Sequence, residues 1–409
     1  VSENLSESLF KPRVTVKETS TISNSKARQL KAETQDDGRP WYRIQRPWLW
    51  QWMGMSWIDI QSVFSRISAC DKPRTSEMLD TVGGYQPGSW SFEFMKLSSS
   101  SASMAKAFAE AHDEPQAHKQ YLMASYYATM AGFPHFKGDQ IATATHALSY
   151  THLLSAVDHS PYLVKKLNIP VDNRHIECYL HLPDDDSPKP LVIVSGGIDS
   201  IQPELYPIFQ HYFAKAGFAM LSVDLPGVGH STQWCLQQDS SHIHMAILDH
   251  LEDVPWVDHT RVAVLGYRFA GNIAARMAFL APERLKAAAI LAGPVDRIFS
   301  DINRMKALPQ MYRDCLANRL GIDSADPEAL FYKCLPLSLK TQGLLGAMHT
   351  RLPLFVLGRG GDYLCPAEDL NLLSHASSDC TVKVMDSIAE NHAFNSIFAD
   401  VTKWLQKHL

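Results

Sequence analysis

The chemistry of this chain turns on residues 266–271, Gly-Tyr-Arg-Phe-Ala-Gly. Residues 261–265 before them are a short apolar-rich run, and residues 272–280 after them, NIAARMAFL, favour helix. A strand, a sharp turn and a helix in that order form an elbow that lifts one side chain above a sheet. The spacing G-x-S-x-G places a nucleophilic serine at that point. Here the serine position is Arg268, and the last glycine position is Ala270, still small enough for close packing. A guanidinium stays protonated and has no acceptor lone pair, so Arg268 cannot attack a carbonyl. Its donor fork suits two other tasks: holding a carboxylate or phosphate, or pairing with an acidic neighbour. Gly266 to Gly271 is not a phosphate loop, because no Gly-Lys-Ser follows.

Three further loops carry candidates. Gly196 and Gly197, in Ser-Gly-Gly-Ile-Asp, follow a short apolar run and have no Cβ to obstruct their amides. They are read as an oxyanion loop, with Tyr267 and Phe269 flanking Arg268 on the substrate side; a simple tight turn is the alternative. Asp362 lies in the Gly-Arg-Gly-Gly-Asp loop near the end of the chain, and His392 in Glu-Asn-His-Ala-Phe beyond it. Nucleophile position, acid and base thus occur in the chain order of a hydrolytic triad, with Asp362 orienting His392 as base. A surface or helix-capping role is the alternative for His392. Ser195, Ser231 and Cys365 are substitute nucleophiles of lower rank, since none sits on an elbow. Asp199, Asp224 and His230 are candidates for the mouth of the site; a turn with Pro226 and Gly227 in their usual roles is the equal alternative for residues 224–227. The histidines between 242 and 259 show no HExxH pattern, and no metal or cofactor site is expected.

These loops need a scaffold. Strands are expected at residues 162–169, 174–182, 191–194, 219–223, 261–265, 287–291, 354–357 and 381–385. Helices are expected at 206–215, 240–252, 272–280, 367–375 and 395–408. Such alternation makes a doubly wound, mostly parallel sheet, whose ligands gather at the C-terminal ends of its strands. Residues 298–350, mostly helical and lying between two strands, are expected to be an inserted lid. Ahead of the sheet, helices at 56–67, 100–111, 116–131 and 139–156 make a helical N-terminal domain. The divisions are a flexible arm at 1–38 with at most a short helix near 25–33, a helical domain at 39–160, and an α/β domain at 161–409. Tryptophans 41, 48, 50, 52 and 57 are read as a packed seam, with a partner-docking surface as the alternative.

The chain has 409 residues, 45% hydrophobic and 20% charged, with a formal charge of −5 and no long basic stripe, which argues against nucleic-acid binding. Seven scattered cysteines without CxxC spacing suit a reducing compartment. No apolar run approaches bilayer length, and the polar start lacks a signal-type core. A cytoplasmic protein without membrane partners is expected, and a homodimer is the commonest state for such a protein.

The helical N-terminal part, SGGIDS at 195–200, DLPGVGHS at 224–231 and GYRFAGN at 266–272 together resemble the bacterial fermentation–respiration switch protein family. The likeness extends over essentially the whole chain, and an arginine at the elbow is its most specific mark. It implies an esterase-like α/β-hydrolase acting on small carboxylic esters. It also implies a protein partner, the dephosphorylated glucose-specific enzyme IIA of the sugar phosphotransferase system. Cofactor-independent decarboxylation of pyruvate or a similar 2-oxo acid is a second activity the resemblance brings. Carried over by position, Arg268 takes the nucleophile place, Asp362 the acid, His392 the base, and Gly196 and Gly197 the oxyanion loop. With arginine at the elbow, hydrolysis requires either water deprotonated by His392 or another serine. A regulator that keeps the scaffold without catalysis is the third reading.

Overall fold

The computed structural model describes residues 40–385 and 391–409. The expected arm at 1–38 and its short helix lie outside the described residues. Eight strands form one sheet in the order β1-β2-β4-β3-β5-β6-β7-β8. They are β1 (Leu163–Val171), β2 (Arg174–Leu182), β3 (Lys189–Ser195), β4 (Ala219–Ser222), β5 (Val257–Tyr267), β6 (Ala287–Leu291), β7 (Leu354–Arg359) and β8 (Cys380–Met385). The β1/β2 and β2/β4 pairs are antiparallel and all the others parallel. The central strands β3, β4 and β6 are almost entirely buried, as apolar runs covered on both faces must be. This is an α/β-hydrolase-type sheet. It reverses direction of winding around β3, β4 and β5, where the glycine loop and the elbow leave their strands side by side.

Ahead of the sheet stand α1 (Pro47–Trp52), α2 (Trp57–Ser68), α3 (Trp90–Glu110), α4 (Glu114–Gly132) and α5 (Gln140–Asp158). Three begin on capping side chains: Ser56 accepts from the Asp59 amide, Asp113 from Gln116, and Asp139 from Ile141 and Ala142. Helix α3 starts well before the expected residue 100. Its first turns hold Trp90 and Phe94, which pack on Phe64 at 5.9 and 6.5 Å between ring centres. Tertiary burial of those rings outweighs the weak helix propensity of the serine-rich, aromatic segment.

Of the five tryptophans expected to form a seam, Trp41, Trp50 and Trp52 do, while Trp48 and Trp57 are exposed. Trp41 and Trp50 are buried against Phe64, and Trp52 stacks on Phe398 at 5.1 Å. Phe398 belongs to α13 (Asn391–Leu405), the closing helix. One hydrophobic core therefore runs from Trp41 to Leu405, joining the helical layer to the sheet.

The expected helix at 206–215 is a broken run of 3₁₀, α and π turns over residues 202–216, closed by Gly217 in the left-handed region. The helix expected at 240–252 is shorter, α6 (His242–His250), and α7 (Ala270–Leu280) begins directly on the elbow. Between β6 and β7 the insertion folds as α8 (Arg297–Ser300), α9 (Ile302–Ala307), α10 (Gln310–Leu320) and α11 (Pro327–Cys334). Its root is anchored by Asp369 in α12 (Ala367–Ser374), whose carboxylate accepts the amides of Val295, Asp296 and Arg297 at 2.8–3.0 Å.

Candidate active site

The elbow keeps the backbone of a nucleophile turn with an arginine at its apex. Arg268 has φ 56, a left-handed conformation that side chains with a Cβ adopt only when their surroundings impose it. The surroundings do so here. The Arg268 amide donates to Leu291 O at 2.9 Å, and the Ala270 amide donates to Gly196 O at 3.2 Å. A Cβ on Gly266 would lie 2.1 Å from Ala270 O, and one on Gly271 would lie 2.5 Å from the Gly293 Cα. Both positions therefore require glycine, and the tight turn and close α7–β6 approach follow.

The Arg268 guanidinium donates through Nη1 to Asp362 Oδ2 at 2.5 Å, with the Asp362 side chain fully covered. The other oxygen, Oδ1, accepts the amides of Leu364 and Cys365 at 2.9 and 3.2 Å. Burial works against both charges, but each holds the other ionised. The Asp362 carboxyl lies below its usual range, and the Arg268 guanidinium lies well above its own. The acid expected to orient a histidine thus has both oxygens engaged, one of them by the elbow arginine. His392 is the second residue of α13, and its side chain lies outside the described residues.

Gly197, Asp199, Arg268 and Phe269 form the floor of a cavity roofed by Ile298, Phe299, Leu308, Tyr312 and Leu316, with Ile198 and Leu364 at its sides. Gly196, Tyr267 and Asp362 are not on its wall. Phe269 is buried edge-to-face against Phe299 at 5.6 Å. The free space for a water-sized sphere's centre is about 10 Å³, room for one water. A second arginine, Arg46, is not on the wall but binds two residues that are. Arg46 donates through Nη2 to Asp199 and to the Tyr312 hydroxyl, the latter at 2.8 Å. Burial opposes the Arg46 charge, but Asp199, Tyr312 and Tyr267 together outweigh it, so this guanidinium too stays above its usual range. Sequence reasoning placed Asp199 at the mouth but passed over Arg46 and Tyr312. A charged residue just before Pro47 in a tryptophan-rich run was the available signal.

None of the substitute nucleophiles lines the cavity. Ser195 donates to Val223 O at 2.8 Å and meets His244 Nε2 at 2.8 Å; with the hydroxyl proton on Val223 O, the histidine is donor to the serine and cannot act as its base. Ser231 is buried on Asp224 O, and burial pushes the Cys365 thiol far up. Asp224 is caged by the Gln202 and His230 amides at 3.0 and 2.9 Å, and a Cβ on Gly229 would strike it at 2.1 Å. The Asp224–His230 loop is therefore a packed turn beside the site.

The family model described as "Esterase FrsA-like" matches residues 1–409. "Esterase FrsA" of Escherichia coli O127:H6 is 38% identical over 416 residues, covering 99% of each chain. "Esterase FrsA" of Vibrio cholerae serotype O1 is 36% identical over 412 residues, covering 100% of this chain and 98% of that one. Among solved structures, 2,6-dihydroxy-pseudo-oxynicotine hydrolase superposes with a TM-score of 0.71 at 18% identity, covering 89% and 96% of the two chains. Wild-type AbyA5 superposes at 0.65 and 21% identity, covering 88% and 98%. These two likenesses establish the shared fold.

Proposed function

From a chain that belongs to the FrsA-like esterase family, a carboxylesterase-type family tied to control of fermentation and respiration, we propose hydrolysis of small carboxylic esters in the elbow cavity. The reading is carried by one observation: an arginine occupies the strained apex of the elbow and lines the cavity beside the Gly197–Asp199 loop. Arg268 takes the part of a fixed cation aimed at developing negative charge, not of a nucleophile.

The ester carbonyl oxygen lies toward Arg268, with the amide of Phe269, the residue after the elbow position, available on the same turn. Water attacks the carbonyl carbon and gives its proton to a base. The resulting oxyanion is stabilised by the guanidinium, which is ionised throughout because Asp362 holds it so. Collapse breaks the carbon–oxygen bond to the alcohol, which takes the proton back from the base and leaves the acid. His392 is the base this scheme assigns. Its place at the start of α13, after the last strand, supports that role. Asp199, a carboxylate on the cavity floor, is the base if His392 is not.

The test is hydrolysis of 4-nitrophenyl acetate and butyrate by native protein, Arg268→Gln and His392→Ala. A rate lost in both variants supports the scheme, loss only in Arg268→Gln shifts the base to Asp199, and equal rates in all three refute it. The dephosphorylated glucose-specific enzyme IIA stands as the proposed protein partner, tested by pull-down of the purified pair. Among the described residues no helix is long and apolar enough to cross a membrane, which accords with a proposed cytoplasmic location.

A further inference from the structure

The cavity as it stands admits about one water, so an ester enters only when a wall moves. The floor is the least movable part. It is set by the sheet, by the left-handed elbow and by the hydrogen bond between Ala270 and Gly196. The Leu364 side is tied down by its own amide on Asp362. What remains is the roof, and its central piece is helix α10, which supplies Tyr312 and Leu316.

Polar bonds from the N-terminal helical layer hold α10 from outside. Tyr42 donates to Asp314 at 2.6 Å, and the Ile44 amide meets Met311 Sδ at 3.4 Å. Lys137 and Asn318 exchange a reciprocal pair, amide to side-chain oxygen at 2.9 Å and side-chain amide to carbonyl at 3.0 Å. Arg319, fully buried, donates to Pro134 O in that layer and to Ile198 O in the glycine loop, each at 2.8 Å. Arg46 is placed differently from these. It belongs to the helical layer, yet one of its nitrogens touches both the floor, at Asp199, and the roof, at Tyr312.

We propose that Arg46 is the gating and positioning residue of this site: release of α10 from the helical layer at Arg46–Tyr312 admits substrate, and the freed guanidinium then holds the substrate's polar end beside Arg268. The proposal rests on the reading that the reaction takes place in the elbow cavity. In the closed state Arg46 stays on Asp199 while its donor is shared with Tyr312. Once Tyr312 leaves, a donor is available to a carbonyl or carboxylate oxygen of the ester, next to the elbow guanidinium. Gating of this kind makes the apparent affinity depend on the open fraction, so strengthening or loosening the clasp shifts substrate binding.

Cys315 reports the gate without reference to any reaction. It lies on α10, fully buried, near both Arg46 and Asp199. A buried thiol is alkylated only through local opening, so its rate measures the open population. The experiment follows N-ethylmaleimide labelling of Cys315 by peptide mass spectrometry in native protein, Arg46→Gln and Tyr42→Phe. Cys178, buried in β2, is the internal control. Tyr42→Phe keeps the ring and touches no residue of the cavity. The expected result is labelling about tenfold faster in Arg46→Gln and severalfold faster in Tyr42→Phe, with Cys178 unchanged. Arg46→Gln raises KM about tenfold and leaves kcat within about threefold, whereas Tyr42→Phe does not raise KM. Unchanged Cys315 labelling in both variants overturns the gate, as does Cys178 accelerating in step with Cys315 in Tyr42→Phe. A faster Cys315 without any ester turnover in native protein would retain the gate and remove the reaction assigned to the cavity.

Discussion

Two arginine–aspartate pairs meet at this cavity, alike in chemistry and unlike in origin. Arg268 and Asp362 stand at the ends of β5 and β7, and the arginine is fixed by its own strained backbone. Arg46 and Asp199 join a residue just ahead of α1 to the loop after β3, and the arginine is fixed only by what it touches. Their guanidinium sides are almost equally covered, 14% and 16% exposed. The difference lies in what a perturbation reaches: the elbow pair responds to changes in the sheet, the other pair to changes in the packing between layers. One is a fixture of the fold, and the other is a contact that the molecule is able to break.

Both pairs keep charge in the interior because each charge has a partner. The sharpest test of that rule uses buried groups lacking one. His146, His181 and His244 are pushed down to about 3 by burial, and each has a ring nitrogen without a hydrogen-bond partner among the described atoms. Unfolded, they titrate near the ordinary histidine value, about 6.5. Because the folded value is depressed, their contribution to stability is complete above about pH 6.5. It falls as pH drops toward 3, while the unfolded chain takes up protons that the folded one refuses. Linkage gives roughly 2 kcal/mol for each histidine at pH 5, so several kcal/mol together. The Asp362 contribution, by contrast, stays complete down to about the ordinary carboxylate value and is lost only as pH falls below it toward the lowered folded value. Urea unfolding at pH 7.5, 6 and 5 should show a falling midpoint; a flat midpoint over that interval would mean these histidines are not held neutral.

Within the site, Arg268→Gln should be the most damaging change. Removing a preorganised charge from the developing oxyanion lowers kcat by about 10²–10³. The glutamine retains a hydrogen-bond donor for Asp362 but leaves that buried carboxylate with only the Arg359 guanidinium, 3.9 Å away, as countercharge, so the folded protein should also lose stability. Steady-state kinetics together with a melting curve separate the two effects. A variant as stable as native protein but about a hundredfold slower places Arg268 in the chemistry; one destabilised yet equally active makes the elbow pair structural.

Gly197→Ala addresses the other pair by itself. The added Cβ would lie 2.7 Å from Asp199 Oδ1 but 3.7 Å from the Arg268 Cβ, an ordinary contact. The carboxylate, at the end of a side chain, must give way, and its hold on Arg46 changes while the elbow is spared. A KM raised about tenfold with kcat nearly constant is expected, an effect of about 1.4 kcal/mol. A fall in kcat as large as that of Arg268→Gln would mean that the two pairs act as one unit.

The same contrast explains what could be read in the sequence. The elbow was legible because Gly266, Arg268 and Gly271 lie within one turn whose geometry is local, and because β5 and α7 have apolar patterns of the right length. The mostly parallel sheet followed from its buried strands, and the lid from a helical stretch between β6 and β7. Arg46 was not legible, since nothing near it in sequence shows that it meets Asp199 and Tyr312. Such contacts come from packing the seam of Trp41 and Trp50 onto Phe64 and Trp52 onto Phe398. Asp362 stands in the loop after β7, but its partner is not a local property of that loop. The Leu364 and Cys365 amides and the arginine across the sheet together occupy both oxygens. Helix α3 was begun too late for a related reason, because only the buried rings of Trp90 and Phe94 extend it.

Asn318→Ala is expected to have the smallest effect, and it tests whether the clasp on α10 is graded. The side chain makes a reciprocal pair with the Lys137 backbone near the surface, where water competes for both bonds, and its oxygen also accepts from Arg319 Nη1, a guanidinium that keeps its bonds to Pro134 O and Ile198 O. A hydrogen bond in such a setting contributes about 0.5–1.5 kcal/mol. Losing the pair should therefore loosen α10 by about 1 kcal/mol, a severalfold rise in the open population. Labelling of Cys315 should then accelerate less than in Arg46→Gln, and kcat should hold, because Asn318 stands at the far end of α10 from Tyr312 and does not line the cavity. If Asn318→Ala opened the roof as far as Arg46→Gln, the helix would be released as a rigid piece by any single break. If it opened the roof not at all while Arg46→Gln did, the gate would lie in the bridge between Asp199 and Tyr312 alone.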